Sequence, residues 1–159
     1  MNDWKSLPYR LNVGAVLFGP DGRVLVGRRA GVANAAWQLP QGGIDEGEDP
    51  RAAVLRELLE EIGTADAEIL GEHPDWLQYD FPRNLQRKTW QGRYRGQTQK
   101  WFALKFLGQD SDVQLDAHTH PEFDAWKWVE LAELPSLAVA FKRTIYEILA
   151  RDFAHLAHP

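Results

Sequence analysis

A run of glycines and acidic residues in segment 42–64 places the strongest constraint on how this chain folds. Asp49 and Pro50 are typical of the start of a helix, and Gly63 is typical of a helix end. The pattern between them predicts a helix from Pro50 to about Ile62. One sector of this helix is apolar and is expected to pack on a sheet through Leu55, Leu58, Leu59 and Ile62.

The same helix carries three glutamates in its last turns. At about 100° per residue, Glu60 and Glu61 lie about −60° and about +40° from Glu57, so the three carboxylates share one sector. Like charges at this spacing repel, and the helix dipole disfavours anions near a C-terminus. A solvated acidic face is the simpler alternative, but a stabilising surface would carry Lys or Arg there. The cluster therefore indicates a site for Mg²⁺ or Mn²⁺, which share their coordination sphere with substrate phosphates.

The residues around the cluster have supporting positions. Arg56 can reach back to a carboxylate and hold its rotamer. Glycines at positions 42, 43 and 47 allow the preceding loop to fold under the helix, because glycine tolerates close backbone approach and unusual dihedral angles. We expect this loop to bring Glu48 towards the same ions.

Length and composition set broad limits. At 159 residues the chain has the length of one domain, so we expect a single domain over residues 1–159. The sequence contains no cysteine, which excludes disulfides, thiolate metal sites and a cysteine nucleophile. Its first residues lack the apolar stretch of a signal peptide, and no run approaches about 18 apolar residues. We therefore expect a cytoplasmic protein that does not bind membranes.

Charge is distributed unevenly along the chain. The net charge of −5 argues against a general nucleic-acid coat and gives no reason to expect DNA binding. Segment 81–109, however, carries no acidic residue and seven basic ones: Arg83, Arg87, Lys88, Arg93, Arg95, Lys100 and Lys105. A solvated basic loop is the alternative explanation. Beside a carboxylate cluster, this segment indicates a polyanionic substrate.

Strand and helix patterns alternate along the chain. Helical spacing predicts a second helix over Val139–Phe153. Alternating and β-branched runs predict strands at Leu11–Phe18, Arg23–Gly27, Trp76–Phe81, Lys100–Leu107 and Asp124–Val129, with a hairpin turn at residues 20–22. This order predicts an α/β or α+β fold in which helices cover a mixed sheet.

Segment 42–64 closely resembles the signature of the Nudix hydrolases. Eight of its nine defined positions match with the correct spacing, and Thr64 replaces an aliphatic residue at the helix end. The matching positions are Gly42, Glu48, Arg56, Glu57, Leu58, Glu60, Glu61 and Gly63. The resemblance implies an α/β/α sandwich in which this segment forms a loop–helix–loop. It also implies attack by water on phosphorus, assisted by divalent ions.

The resemblance also assigns roles by position. It implies that Glu57, Glu60 and Glu61 bind metal together with Gly42, and that Glu57 is the general base. Glu48 and Arg56 would be supporting members of the catalytic set.

Further segments resemble the branch of this family that hydrolyses RNA 5′ ends and dinucleoside polyphosphates. They are residues 9–14, 37–43, 96–102, 121–128 and 141–143. In this branch Glu122 would add a metal ligand, although an ordinary turn carboxylate is the alternative. Arg10 and Arg29 are placed to contact phosphate, with Arg28 as a rival to Arg29.

Phe141 and Lys142 offer a ring for a base and a cation for phosphate. The alternative for Phe141 is core packing on the last helix. Either Tyr79 or Tyr94 could line the pocket, and the sequence does not choose between them. His118 and His120 are interpreted as loop residues, although a His-x-His pair can bind metal.

Three functions are therefore compared. The first is hydrolysis of 5′-triphosphorylated or diphosphorylated RNA to a 5′-monophosphate, which promotes RNA decay. The second is cleavage of dinucleoside tetraphosphates such as diadenosine tetraphosphate. The third is a non-catalytic module that binds nucleotides or RNA ends. We expect a monomer with Mg²⁺ as cofactor, and the basic segment favours RNA because a polymer offers more phosphates to contact.

Overall fold

A mixed β-sheet lies between two layers of helices in the computed structural model, which describes residues 3–32, 35–117 and 120–157. The strands are β1 (Tyr9–Phe18), β2 (Val24–Arg29), β3 (Trp37–Gln38), β4 (Gln41–Gly43), β5 (Ala67–Glu72), β6 (Leu77–Asp80), β7 (Gly96–Phe106) and β8 (Phe123–Val129). The α-helices are α1 (Pro50–Ile62), α2 (Arg83–Gln86), α3 (Leu134–Leu137) and α4 (Arg143–Asp152). Short 3₁₀ turns include Trp4–Ser6, Thr89–Gly92 and Ala140–Lys142.

The centre of the sheet is a parallel pair formed by β1 and β7, which begins where Tyr9 pairs with Gly96. β2 extends the sheet on one side and β5 on the other. β4 runs antiparallel to β1 and places Gly42 opposite Val13. The N-terminal ends of β1 and β7 therefore lie beside the strand that leads into α1.

Each face of the sheet has its own core. Apolar residues of α1 pack on one face, including Ala53, Val54, Leu58 and Ile62. The opposite face is covered by α3 and α4 through Leu134, Ile145, Tyr146 and Leu149. Since β1 lies between these layers, its residues from Val13 to Phe18 are apolar or small and buried. The α/β/α sandwich implied by the family resemblance is confirmed.

The segment 42–64 folds largely as predicted. α1 runs from Pro50 to Ile62, and its C-cap residue Gly63 adopts a φ of 77° and donates its backbone N–H to the carbonyl of Leu59. Asp49 occupies the N-cap position, but its side chain makes no capping hydrogen bond. The prediction for Leu59 is wrong, because this side chain is 51% exposed. The buried stripe instead runs through Val54, Leu58 and Glu61.

Two other elements begin four residues away from their predicted starts. α4 begins at Arg143 rather than Val139, because the residues before it form an extended link and a 3₁₀ turn. Phe141 therefore lies ahead of the helical stripe. β7 begins at Gly96, four residues before the predicted strand, because its polar first half is buried through hydrogen bonds of Gln97 and Gln99. Among the described residues, no helix has both the length and the apolar character to cross a membrane.

Candidate active site

An acidic cleft of about 500 Å³ opens where β1, β4 and α1 meet. Backbone of β4 forms its floor, and α1 contributes carboxylates along one wall. The residues that line it are Arg10, Gln41, Gly42, Gly43, Glu57, Glu60, Glu61, Trp90, His120 and Glu122. The structure thus brings the three glutamates of α1 together with Glu122, which lies just before β8.

Arg56 organises the carboxylates around it. Its guanidinium donates two hydrogen bonds of 2.8 Å to Glu48, one of 2.9 Å to Glu57 and one of 3.2 Å to Glu60. A further bond of 2.8 Å reaches the carbonyl of Gly43. A planar group with five donors suits this task, and lysine could not replace it.

Glu48 is held by Arg56 and does not line the acidic cleft with the other glutamates. It also accepts the backbone N–H of Asp45 at 3.0 Å. The hydrogen bonds from Arg56, together with this backbone bond, lower the pKa of Glu48 to about 2. Glu48 therefore contacts Arg56 directly, whereas the glutamates that line the cleft are Glu57, Glu60, Glu61 and Glu122.

Glu57 lies at the base of the cleft with its side chain only 12% exposed. Burial, reinforced by the negative charge of Glu60, raises its pKa to about 7. A Cβ atom at residue 42 would collide with this carboxylate, so glycine there leaves the space that Glu57 occupies. A carboxylate with a pKa near neutrality is suited to accept a proton at physiological pH.

Glu61 is the most deeply buried of these carboxylates. One of its oxygens accepts the backbone N–H of Gln41 at 3.3 Å, and the other has no hydrogen-bond partner among the residues that the structure describes. Burial, followed by the charges of Glu57 and Glu122, raises its pKa well above the usual range. An unpartnered buried carboxylate oxygen needs a physical explanation, and a cation in the cleft would supply its missing partner.

The donor set therefore fits a hard divalent cation. The cleft offers carboxylate and carbonyl oxygens, which Mg²⁺ and Mn²⁺ prefer over nitrogen or sulfur ligands. Among the residues that the structure describes, no three acidic or histidine side chains already form a ligand cluster. In proteins, Mg²⁺ usually keeps several waters and completes its coordination sphere with substrate phosphates.

Glu61→Gln is expected to stabilise the metal-free protein at pH 8. The folded protein raises the pKa of Glu61 above the ordinary value of 4.5, so wild-type stability falls as the pH rises above that value. The gain should be on the order of 1–3 kcal/mol at pH 8 and should vanish near pH 4. Denaturant unfolding in EDTA measures this difference.

MgCl₂ should then stabilise the wild type more than Glu61→Gln at pH 8. The exposed Glu68→Gln on β5 serves as control. A Glu61→Gln protein that is less stable than wild type at pH 8 without metal would contradict this account of Glu61.

An aromatic cleft adjoins the acidic one and contains the predicted substrate residues. Phe141 lies 5.6 Å from Tyr79 between ring centroids, and both rings line this cleft with Arg29 and Lys142. Burial lowers the pKa of Lys142 to about 8, which indicates an ammonium group held in poor contact with water. A ring pair beside two cations is suited to a base and its phosphates.

The structure separates the rival residues that the sequence left open. Arg28 forms an ion pair with Asp124 at 2.9 Å, whereas Arg29 lines the aromatic cleft. Tyr79 lines the same cleft and receives a hydrogen bond of 2.6 Å from Gln97. Tyr94 lines neither of the two clefts; like Phe141 it packs against the apolar core, of which Tyr79 is itself a part.

Trp90 joins the two clefts, and sequence reasoning missed it. Its ring stacks on Phe81 at 5.6 Å, and the guanidinium of Arg10 lies 4.4 Å from the centre of the indole. Trp90 and Gln91 both adopt positive φ values, of 46° and 58°, which non-glycine residues seldom do. A tryptophan in an otherwise polar, basic segment was the available signal.

Arg10 is fixed from a second direction by buried amides. It donates a hydrogen bond of 3.0 Å to Gln97, and the same Gln97 oxygen accepts from Asn12 at 3.0 Å. Gln99 also donates to Asn12 and to Gln41, which connects this network to the floor of the acidic cleft. His118, part of the His-x-His pair, lies outside the described residues, and His120 lines the acidic cleft.

Known proteins with similar sequences share one name. The protein named RNA pyrophosphohydrolase from Acidiphilium cryptum (strain JF-5) is 62% identical over 96% of this chain and 94% of its own length. The protein of the same name from Gluconacetobacter diazotrophicus is 57% identical over 100% of this chain and 99% of its own length.

Among solved structures, a C. elegans Ap4A hydrolase binary complex has a TM-score of 0.65 at 23% identity, over 92% of this chain and 98% of the other. The MutT protein from Methanosarcina mazei Go1 has the same TM-score and identity, over 92% of this chain and 96% of the other. At this identity the likeness shows the fold. The family model of the NUDIX domain matches residues 8–149. This chain therefore belongs to the Nudix family.

Proposed function

We propose that this protein is an RNA pyrophosphohydrolase that converts 5′-triphosphorylated or diphosphorylated RNA ends to 5′-monophosphates. One observation carries the proposal: a carboxylate-lined cleft and a ring-lined basic cleft share Trp90 and Glu122 as a common wall. A base bound in the second cleft would direct its phosphate chain into the first. The shared name of the relatives at 57% and 62% identity supports the same substrate.

The catalytic residues are assigned by their positions in the acidic cleft. Glu57, Glu60, Glu61 and Glu122 would hold the divalent cations, together with the carbonyl of Gly42. We propose Mg²⁺ as the ion, which when bound neutralises phosphate oxygens and activates water. Glu57 is proposed to accept the proton of the attacking water, because its carboxylate lies in the acidic cleft and is oriented by Arg56. Arg56 orients Glu57, and Glu48 orients Arg56.

The remaining residues position the substrate. Phe141 and Tyr79 present rings for a nucleobase, while Arg29 and Lys142 lie beside them to contact phosphate. Arg10 lies between Trp90 and the floor of the acidic cleft, which suits it to a phosphate nearer the reacting bond. The charge that accumulates during phosphoryl transfer is stabilised by such positioned cations.

Cleavage of dinucleoside tetraphosphates is the second candidate. It needs the same acidic cleft and one ring-lined site, and the similar C. elegans fold is that of a protein named Ap4A hydrolase. The cationic residues of segment 83–93 favour RNA, because they offer contacts beyond a short polyphosphate. A non-catalytic binding module is disfavoured because every carboxylate of the signature is present.

A direct substrate comparison tests the proposal. Release of pyrophosphate or phosphate from a short triphosphorylated RNA should be compared with cleavage of diadenosine tetraphosphate under identical conditions. We expect a higher kcat/KM for the RNA, because its second and third nucleotides add contacts that the dinucleotide lacks. A large advantage for diadenosine tetraphosphate would reverse the order of the two functions.

We further propose that the protein acts as a monomer in the cytoplasm, on RNA and not on DNA. Transcripts made there begin with a 5′-triphosphate, which is the group that the two clefts together accommodate. The lack of cysteine agrees with a reducing compartment.

A further inference from the structure

A third depression, here called the basic groove, lies on the far side of the segment that walls the aromatic cleft. Its volume is about 800 Å³, and it is lined by Trp4, Arg83, Arg87 and Gln91 among others. Lys88, Thr89 and Trp90 of the same segment face the aromatic cleft instead. Residues 83–92 therefore separate the two depressions and give each of them cationic side chains.

The cations of this segment are available to a ligand. Arg83, Arg87, Lys88 and Arg93 are exposed, and none forms an ion pair within the described ranges. Arg95 and Lys100, two other basic residues of segment 81–109, behave differently. Arg95 is paired with Asp80 at 3.0 Å, and Lys100 donates to the carbonyl of His73 at 2.6 Å.

An aromatic ring completes the basic groove. Trp4 is half-buried, and the guanidinium groups of Arg83 and Arg95 lie 5.6 Å and 5.7 Å from the centre of its ring. Asp3 is the acidic residue that lines the groove, and its carboxylate accepts the backbone N–H of Lys5 at 3.1 Å. A ring flanked by cations is the kind of surface on which single-stranded nucleic acids stack and place their phosphates.

We propose that the basic groove binds the RNA chain downstream of the 5′ nucleotides held in the active site. The chain leaves the aromatic cleft past Lys88, crosses residues 83–92, and lies against Trp4, Arg83 and Arg87. This inference rests on the proposed function and adds a second, sequence-independent contact to it. It also separates the two candidate substrates, because a dinucleoside tetraphosphate has no chain to reach the groove.

The test compares two triphosphorylated RNAs with the same 5′ sequence, one of three nucleotides and one of twelve. The double variant Arg83→Gln/Arg87→Gln is expected to lower kcat/KM for the longer RNA by about five- to tenfold at low salt, and to change the trinucleotide less than twofold. The slope of log kcat/KM against log salt for the longer RNA should become shallower by about 1.4, because about 0.7 is lost for each phosphate contact to a single strand. Trp4→Ala should likewise lower kcat/KM for the longer RNA more than for the trinucleotide. It should leave the slope of log kcat/KM against log salt unchanged.

The control Arg51→Gln/Lys105→Gln removes the same charge from exposed positions elsewhere. Gln97 on β7 lines the aromatic cleft, and Lys105 lies eight residues further along the same strand. At about 3.3 Å per residue, this places Lys105 about 26 Å from Gln97. Anisotropy of a labelled 5′-monophosphorylated twelve-nucleotide RNA, measured in EDTA, gives a binding readout that is independent of turnover.

The possible outcomes separate the groove from the proposed function. Equal loss on both RNAs, or no loss on either, would overturn the basic groove while leaving RNA hydrolysis intact. A wild-type protein that hydrolyses neither RNA would overturn both the function and the groove.

Discussion

Glu57→Gln is expected to lower kcat by about 1,000-fold while the protein remains folded. The substitution removes the group proposed to accept a proton from water and weakens one of the proposed metal contacts. Glutamine can still accept the hydrogen bond from Arg56, so the local geometry should persist. Single-turnover assays on triphosphorylated RNA at saturating MgCl₂ measure the effect.

Folding of the Glu57→Gln variant is checked by thermal unfolding. Its stability in EDTA should equal or exceed that of wild type, because the native fold already raises the pKa of this carboxyl to about 7. Glu133→Gln, at an exposed position, is the matched control. Turnover within a few-fold of wild type would remove Glu57 from its proposed role as base.

The second large effect is expected from Arg56→Ala, which should lower both stability and activity. Without Arg56, three carboxylates and the Gly43 carbonyl lose their common donor. Because the arginine side chain is 28% exposed, we expect a loss of about 2 kcal/mol, below the range for fully buried pairs. Activity should fall about 100-fold, the upper end of the range for residues that orient metal ligands.

Arg56→Lys distinguishes the geometry of Arg56 from its charge. An ammonium keeps the charge but cannot bridge Glu48, Glu57 and Gly43 together, so activity should stay well below wild type while stability recovers in part. Denaturant midpoints and kcat/KM are the measurements. Arg51→Ala, on the first turn of the same helix, provides the control. A loss from Arg56→Ala no larger than that from Arg51→Ala would show that the network around Arg56 does not support the site.

The sequence predicted those features whose signals are local. The bounds of α1 follow from Pro50 and Gly63, and the shared sector of its glutamates follows from helical spacing alone. The hairpin between β1 and β2 was equally accessible from its turn residues, and Phe18 pairs with Val24 as that turn requires. The alternation of such elements predicted an α/β or α+β fold, and the resemblance to the Nudix hydrolases implied the α/β/α sandwich.

Features that depend on distant partners could not be predicted in this way. Leu59 was expected to pack on the sheet but is exposed, whereas Glu61 of the acidic sector is buried. The position of the sheet, not helical spacing, decides which sector of the helix is buried. Gln97 is polar, so the sequence pattern does not predict a buried strand at this position. The strand is buried there because Gln97 forms hydrogen bonds with Asn12, Arg10 and Tyr79.

The position of Trp90 likewise depends on distant partners. Trp90 is positioned by contacts with Arg10 and Phe81 and by backbone angles that no local sequence motif predicts.

The glycines of segment 42–64 differ in whether they are needed for activity or for folding. The nearest atoms that an added methyl group would meet are the far end of the Glu57 side chain at Gly42 and the far end of Arg10 at Gly43. Both side chains are able to swing aside, so alanine there should give a protein that is soluble and stable yet inactive. At Gly63 the methyl would meet the backbone carbonyl of Gln114, which cannot move independently. A survey of tolerated substitutions should therefore find positions 42 and 43 restricted in activity screens but permissive in abundance screens, with position 63 restricted in both.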